Sequence, residues 1–487
     1  MAIDTPEADR VSLPIKLIYG SGQFAEGVKN AAFATFVLLY YNQVLGLSGT
    51  LAGLAIFIAL CFDAITDPVV GSISDNFKSR WGRRHPFMYA AAFPMAFSFY
   101  FLFAPPEELS SGALFAWMTV FTVLVRGSMT LYYVPHLALG AELSDHYTER
   151  SSIVAYRWIF SVFGHLAVII SAFAIFFLDV DGQSGDLIAE NYPPFAFVLA
   201  IVVALSILVS AGGTHSQISK LPTTRFVDRS GWAIMTGVLK DTLEALHNRS
   251  FRWLAGATLS SQVMSGLQAA LSLYMANFFW EMVDQSKMLL LMAMPVGFVI
   301  GIAATRTVHE RYDKRRTLII GVSGTFVFMV TPVVLRLMDL FPANDNPLIT
   351  PILVAFAFAS GIGGLALVSA NSMMADIADE HELQTGRRQE GIFFGAISFA
   401  AKGAVGLGTM ISGVALDLIR FPVGAAPGEV DAETVFKLGA VYGPLLGVFM
   451  VFAMYCVTHY GLTKALHDEI KVELSKRRRG NLGEEVL

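Results

Sequence analysis

Apolar residues run along this chain in long stretches, separated by short polar connections where glycine, proline and charge collect. A hydrocarbon layer about 30 Å thick is crossed by roughly 20 residues of helix, so each stretch predicts a membrane-spanning helix. Such stretches occur at 17–46, 50–75, 86–105, 112–143, 153–178, 192–212, 251–281, 286–306, 317–340, 349–377, 391–418 and 434–462. The pattern predicts an all-α integral membrane protein of twelve transmembrane helices.

Loop charge orients those helices, because lysine and arginine stay on the cytoplasmic side. Loops after the even-numbered spans carry Lys78, Arg80, Arg83 and Arg84, then Arg150, then Lys220, Arg225, Arg229 and Lys240, then Arg311, Lys314, Arg315 and Arg316, then Arg387 and Arg388. The opposite loops hold little beyond Lys287 and Arg420, with Arg336 near a helix end, while the tail adds Lys476, Arg477, Arg478 and Arg479. Both termini are therefore expected in the cytoplasm. The long middle loop divides the chain into a six-helix bundle at 1–212, a cytoplasmic loop at 213–250, a second six-helix bundle at 251–462 and a cytoplasmic tail at 463–487.

The halves echo each other where Gly71 opens GSISDNFKSRWGRRHPF and Gly301 opens GIAATRTVHERYDKRRTL. Each places an acid and a cluster of bases in a short turn, as expected of two bundles that latch and unlatch; ordinary topology charge is the alternative. The Gly-, Pro- and acid-rich segments 179–191 and 420–433 read as solvated loops.

Composition agrees with lipid as the solvent: 54% of the 487 residues are hydrophobic and 15% charged, against about 25% charged in a soluble domain. The net charge of −5 and the scattered bases argue against a nucleic-acid partner. Cys61 and Cys456 lie in apolar stretches without metal-ligand spacing, so neither a disulfide nor zinc is expected. The polar, acidic start MAIDTPEADRVSLP lacks the plan of a secretory signal, and the first helix is expected to stay as an anchor. No catalytic signature is visible, so neither an enzyme nor a cofactor is expected.

Ionisable residues inside spans are costly and mark functional positions. Asp63 and Asp67 stand at i and i+4 on one face of the second helix, with Thr66 close by. Two carboxylates and nearby oxygens suit a hard cation; alternatively both acids pair with Lys402, Arg126 or Lys29. Lys402 lies mid-span in the eleventh helix and is expected to lean on one of the aspartates. Arg126 and Thr130 sit one turn apart on the fourth helix, Thr130 as an oxygen donor and Arg126 as either a cavity cation or the buried partner of an acid. Glu26 and Lys29, at i and i+3, either satisfy each other or contact solute. His136 and His165 receive no role.

In order along the chain, DAITDP (63–68), SRWGRRHP (79–86), VPHLALGAE (134–142), Glu149-Arg150 with Tyr156-Arg157, ADIAD (375–379) and Lys402-Gly403 resemble the glycoside-pentoside-hexuronide:cation symporters, a branch of the major facilitator superfamily. The resemblance covers most of the chain and implies the major facilitator fold, two bundles around a central cavity. It implies cation binding by Asp63, Asp67 and Thr130, with Lys402 beside that site and Arg157 among the sugar contacts; Thr66 joins the candidate cation ligands, and Lys402, Tyr133, Lys29, Glu26, Arg126 and Ser398 the candidate solute contacts.

Gly27 and Tyr133 stand where melibiose permease, a member of that family, has sugar-binding aspartates, and Leu137 and Leu367 replace tryptophans that pack on the sugar. Thr66 takes the place of an asparagine that supports sodium use, leaving Na+ and H+ both open. The expectation is a secondary active transporter of the bacterial cytoplasmic (inner) membrane, carrying a glycoside, pentoside or hexuronide with Na+ or H+ by alternating access. The alternative is an uncoupled facilitator or a carrier of an amphiphile such as a lysolipid, which some animal relatives move.

Overall fold

The computed structural model describes residues 11–180, 182–220, 231–387 and 389–484. Arg225, Arg229 and Arg388 lie outside them. Among the described residues the chain is helical, apart from one isolated bridge between Val180 and Gln183.

The helices are α1 (13–44), α2 (Gly49–Asn76), α3 (His85–Leu102), α4 (Ser111–Glu142), α5 (147–176), α6 (Tyr192–Thr214), α7 (Gly231–Ala245), α8 (249–279), α9 (Asp284–Arg311), α10 (Lys314–Leu337), α11 (Ile349–Thr385), α12 (Glu390–Leu418), α13 (Ala432–His459) and α14 (Lys464–Glu484). Apart from α7 and α14, each overlaps one span expected from the sequence. By length and apolar content alone, nine of these stretches among the described residues suffice to cross a bilayer.

Starts follow local chemistry. Ser48 accepts from the Leu51 N–H at 3.2 Å to begin α2, and Asp313 accepts from the Arg316 N–H at 2.7 Å to begin α10. Gly386, at φ 72°, closes α11 in the left-handed conformation that glycine adopts without strain. Single π-turns interrupt α1 at 33–37 and 40–44, shifting the phase of its side chains.

The chain forms two compact units. The first comprises Met1–Met235, Ala269–Met288 and Thr409–Val435; the second comprises Thr236–Gln268, Leu289–Gly408 and Phe436–Leu487. Within the first, α1 packs on α5 and α6, α3 on α4 and α6, and α2 on α4. The α1–α5 seam is close enough that a Cβ at Gly27 would meet the Ser161 carbonyl at 2.1 Å. Within the second, α10 packs on α11 and α13, and the tail helix α14 on α11.

The two echoing turns fold alike. In the first unit Arg84 is held by Asp75, by the Ser74 hydroxyl at 2.9 Å and by Glu142 at 2.9 Å, with Arg83 on the same carboxylate at 2.7 Å. In the second, Lys314 grips both oxygens of Asp376 at 2.7 Å. Each junction ties the start of one helix to an acid on the next.

One loop departs from expectation. Segment 179–191 reads as solvated, yet Asp186 is fully buried. Its carboxylate accepts from Lys287 at 2.9 Å and from the Asn277 amide at 2.7 Å, while Lys287 also reaches Asp284 at 3.1 Å and donates to Ser184. A buried charge is tolerated only when paired and hydrogen-bonded, and this loop folds inward around such a pair. Segment 420–433 is mostly exposed or half-exposed, as expected.

Candidate functional site

Helix α2 weakens at its acidic turn. Pro68 has no N–H to give the Ala64 carbonyl, so a backbone oxygen there lacks its helical donor. Asp63 is buried and Asp67 half-buried on this turn. The α2–α4 packing brings Thr130 between them: its hydroxyl oxygen is 2.9 Å from Asp63 Oδ1 and 2.9 Å from Asp67 Oδ1.

A threonine hydroxyl owns one hydrogen, so it donates to one of those oxygens at a time. Two carboxylate oxygens thus converge on one hydroxyl oxygen. Two carboxylates and a hydroxyl form a hard, oxygen-only donor set. Among the described residues no group of three His, Cys, Asp or Glu side chains is placed to hold a metal.

Arg126, one turn before Thr130, places Nη1 3.4 Å from Asp63 Oδ2 and lays its guanidinium over the Phe33 ring at 4.9 Å. The contact pairs Arg126 with an acid of the α2 turn it faces. Lys29 is buried and bonds Glu26 at 2.9 Å, and Asn30 donates to the same oxygen at 3.0 Å. Glu26 and Lys29 thus satisfy each other in part; Glu26 Oε2, Gln23 Oε1 and Arg126 Nε are buried without hydrogen-bond partners. Buried polar groups left in that state are costly.

Tyr133 lies within electrostatic reach of Glu26, Arg157 and Asp67, and Arg157 lies beside the Tyr19 hydroxyl. Helices α1, α2, α4 and α5 therefore bring together, within one unit, Glu26, Lys29, Asp63, Asp67, Arg126, Thr130, Tyr133 and Arg157. Thr66 differs: its hydroxyl donates to the Phe62 carbonyl at 3.0 Å, a bond within its own helix. Lys402, half-buried, and Ser398, exposed, belong to the second unit.

His136 stacks on Tyr19 with ring centres 4.2 Å apart and meets the Tyr132 hydroxyl at 3.2 Å, a packing role. Gln23 escaped sequence reasoning because it is uncharged. The available signal was its place one turn before Glu26 on the face that continues to Lys29.

Comparison with known proteins agrees with this fold. The family model described as MFS/sugar transport protein matches residues 18–464. The isoprimeverose transporter of Lactiplantibacillus pentosus is 22% identical over 88% of this chain and 85% of its own. The sodium-dependent lysophosphatidylcholine symporter 1 of Gallus gallus is 24% identical over 92% of this chain and 87% of its own. Among solved structures, the inward-open xylose transporter XylE from E. coli superposes with a TM-score of 0.59 at 14% identity, covering 94% of this chain and 98% of that one. The fold is that of the major facilitator superfamily. The chain is a membrane transporter rather than an enzyme, and it belongs to the MFS/sugar transport protein family.

Proposed function

We propose that this chain is a cation-coupled symporter of a sugar-type small solute in the bacterial cytoplasmic membrane, with both termini and the 213–250 loop on the cytoplasmic side. The observation that carries the reading is the Thr130 hydroxyl, set 2.9 Å from a carboxylate oxygen of each aspartate. A cation bound by Asp63, Asp67 and Thr130, with Thr66 at the edge, balances the charge that two carboxylates on one turn bring into the membrane. Na+ and H+ both meet that requirement, and no other cofactor enters.

Solute then binds beside the ion, through Arg157, Tyr133, Glu26, Lys29 and Arg126 on the first unit. The roles of Lys402 and Ser398 as solute contacts, and the bundles at 1–212 and 251–462 as the moving bodies, rest on the sequence reading. Cation binding removes the need for a proton between the acids and changes the charge that solute meets, so each ligand tightens the other by the same factor. Empty and doubly loaded forms reorient, because a half-loaded site carries uncompensated charge into a low-dielectric passage.

A second reading is favoured by the lysophosphatidylcholine symporter among the relatives: a carrier of an amphiphile, coupled or not. Uptake into vesicles under an imposed Na+ or H+ gradient separates the readings when glycosides, pentosides, uronides and lysolipids are compared. Gradient-driven accumulation of a sugar that disappears in Asp63→Asn and Asp67→Asn is expected. Accumulation at the wild-type level in both variants sinks the assignment.

A further inference from the structure

A base stands beside the aspartate turn of the first unit. Arg126 is buried on α4, and among the described residues Asp63 is the carboxylate within ion-pair distance of it. The contact is loose. A charge-assisted guanidinium–carboxylate bond runs at about 2.7–2.9 Å and is often two-pronged; here a single nitrogen, Nη1, stands 3.4 Å from Asp63 Oδ2.

A second group shares the guanidinium. Phe33, buried on α1 where its π-turn at 33–37 opens, presents its ring 4.9 Å from the guanidinium carbon. Arginine is drawn to a ring face as well as to a carboxylate, and a guanidinium shared between the two does not close fully on the acid. Lys29 is also within electrostatic reach of Asp63, but Glu26 takes its ammonium at 2.9 Å.

The effect of such a base follows from Coulomb's law. One oxygen of each aspartate meets the Thr130 hydroxyl, and the other oxygen of Asp63 faces Arg126. A fixed positive charge at the side of this pair repels any cation that enters it, and the repulsion scales with the charge of the ion. A divalent ion suffers twice the free-energy penalty of a monovalent one. Its affinity therefore falls by the square of the monovalent factor.

We propose that Arg126 sets the valence and the affinity of the coupling ion, an inference that rests on the ion site of the proposed function. Its guanidinium is a tethered positive charge that keeps divalent ions off Asp63 and Asp67 and holds monovalent binding weak enough for release. Phe33 is a positioning residue: it keeps the guanidinium from closing on Asp63 and displacing the ion altogether.

The test needs no solute. Purified full-length protein is titrated calorimetrically with Na+ or Ca2+ alone, and with protons by tryptophan fluorescence. Arg126→Gln is expected to bind its monovalent ion ~10-fold more tightly, read as Na+ affinity or as a higher pH midpoint, and to gain ~100-fold in Ca2+ affinity. Both gains vanish when Asp67→Asn is added, and Arg126→Lys, which keeps the charge, retains the wild-type choice of ion. Phe33→Leu frees the guanidinium to close on Asp63 and is expected to weaken monovalent binding ~3-fold. A merely structural role for Arg126 would weaken binding in every one of these variants. An Arg126→Gln protein that binds the monovalent ion no more tightly than wild type, or takes Ca2+ no better, overturns the proposal. Should that variant not fold, a Phe33→Leu protein with unchanged or tighter binding overturns it. Wild type that shows neither Na+ binding nor a pH midpoint removed by Asp67→Asn overturns the ion site itself, and this inference with it.

Discussion

Two clusters of buried charge occupy the first unit, and they are built to opposite ends. Around Lys287 the base sits at the centre, with Ser184, Asp186 and Asp284 converging on one ammonium and Asn277 completing Asp186. Around Thr130 the acids sit at the centre: one carboxylate oxygen of each lies 2.9 Å from the same hydroxyl, and Arg126 stands 3.4 Å from Asp63 at the side. The first cluster carries its own counter-charge and works as a strut. The second gathers two carboxylates on one hydroxyl, and under the proposed function it holds an exchangeable ion.

The strut yields the largest expected effect on stability. Lys287→Met leaves Asp186 and Asp284 buried without their base, and breaking a buried pair costs about 3–5 kcal/mol. The thermal midpoint of the purified protein should fall sharply, and the yield of folded protein with it. A Lys287→Met variant as stable as wild type would remove the distinction between the clusters.

The exchangeable site yields the largest expected effect on transport. Asp67→Asn should abolish gradient-driven accumulation while shifting the thermal midpoint little. Asp63→Asn should abolish it too, at a higher cost in stability, because Arg126 then loses a carboxylate 3.4 Å away. Equal stability losses in the two variants would argue that Arg126 draws nothing from that pair.

How much of this was readable beforehand depends on how far apart the partners lie in the chain. The Asp63–Asp67 pair was legible because two acids one turn apart in an apolar run have few structural explanations, and Arg126–Thr130 because they share a face of one helix. The Lys287 strut was not: Asp186 sits in a loop whose composition says solvent, and only its meeting with a lysine 101 positions away buries it. Gly27 was placed by alignment at a sugar-binding position, but the structure commits it to the α1–α5 seam, where a Cβ would strike the Ser161 carbonyl.

Thr130 measures the hydroxyl's share of the ion site. Thr130→Ala removes one oxygen ligand worth about 1–1.5 kcal/mol, an expected loss of roughly 10-fold in cation affinity. Thr130→Ser keeps the oxygen and should recover most of it. Cation-dependent tryptophan fluorescence or isothermal titration reads both variants, and equal losses in Ala and Ser would point to the methyl group and packing instead.

The smallest effect is expected at Thr66, the residue that sequence placed beside the acids. Its hydroxyl hydrogen is already given to the Phe62 carbonyl at 3.0 Å, and its oxygen lies a second distance of 3.3 Å from the Asp63 carbonyl. Both contacts stay within its own helix, on the Phe62 and Asp63 carbonyls, so the hydroxyl serves the backbone first. Thr66→Ala should therefore change cation affinity less than 2-fold, while Thr66→Asn, which extends an amide oxygen beyond the backbone bond, should raise affinity for Na+ relative to H+. A loss in Thr66→Ala as large as that in Thr130→Ala would mean that the threonine leaves its helix bond to ligate the ion, and the site would then hold four side-chain ligands instead of three.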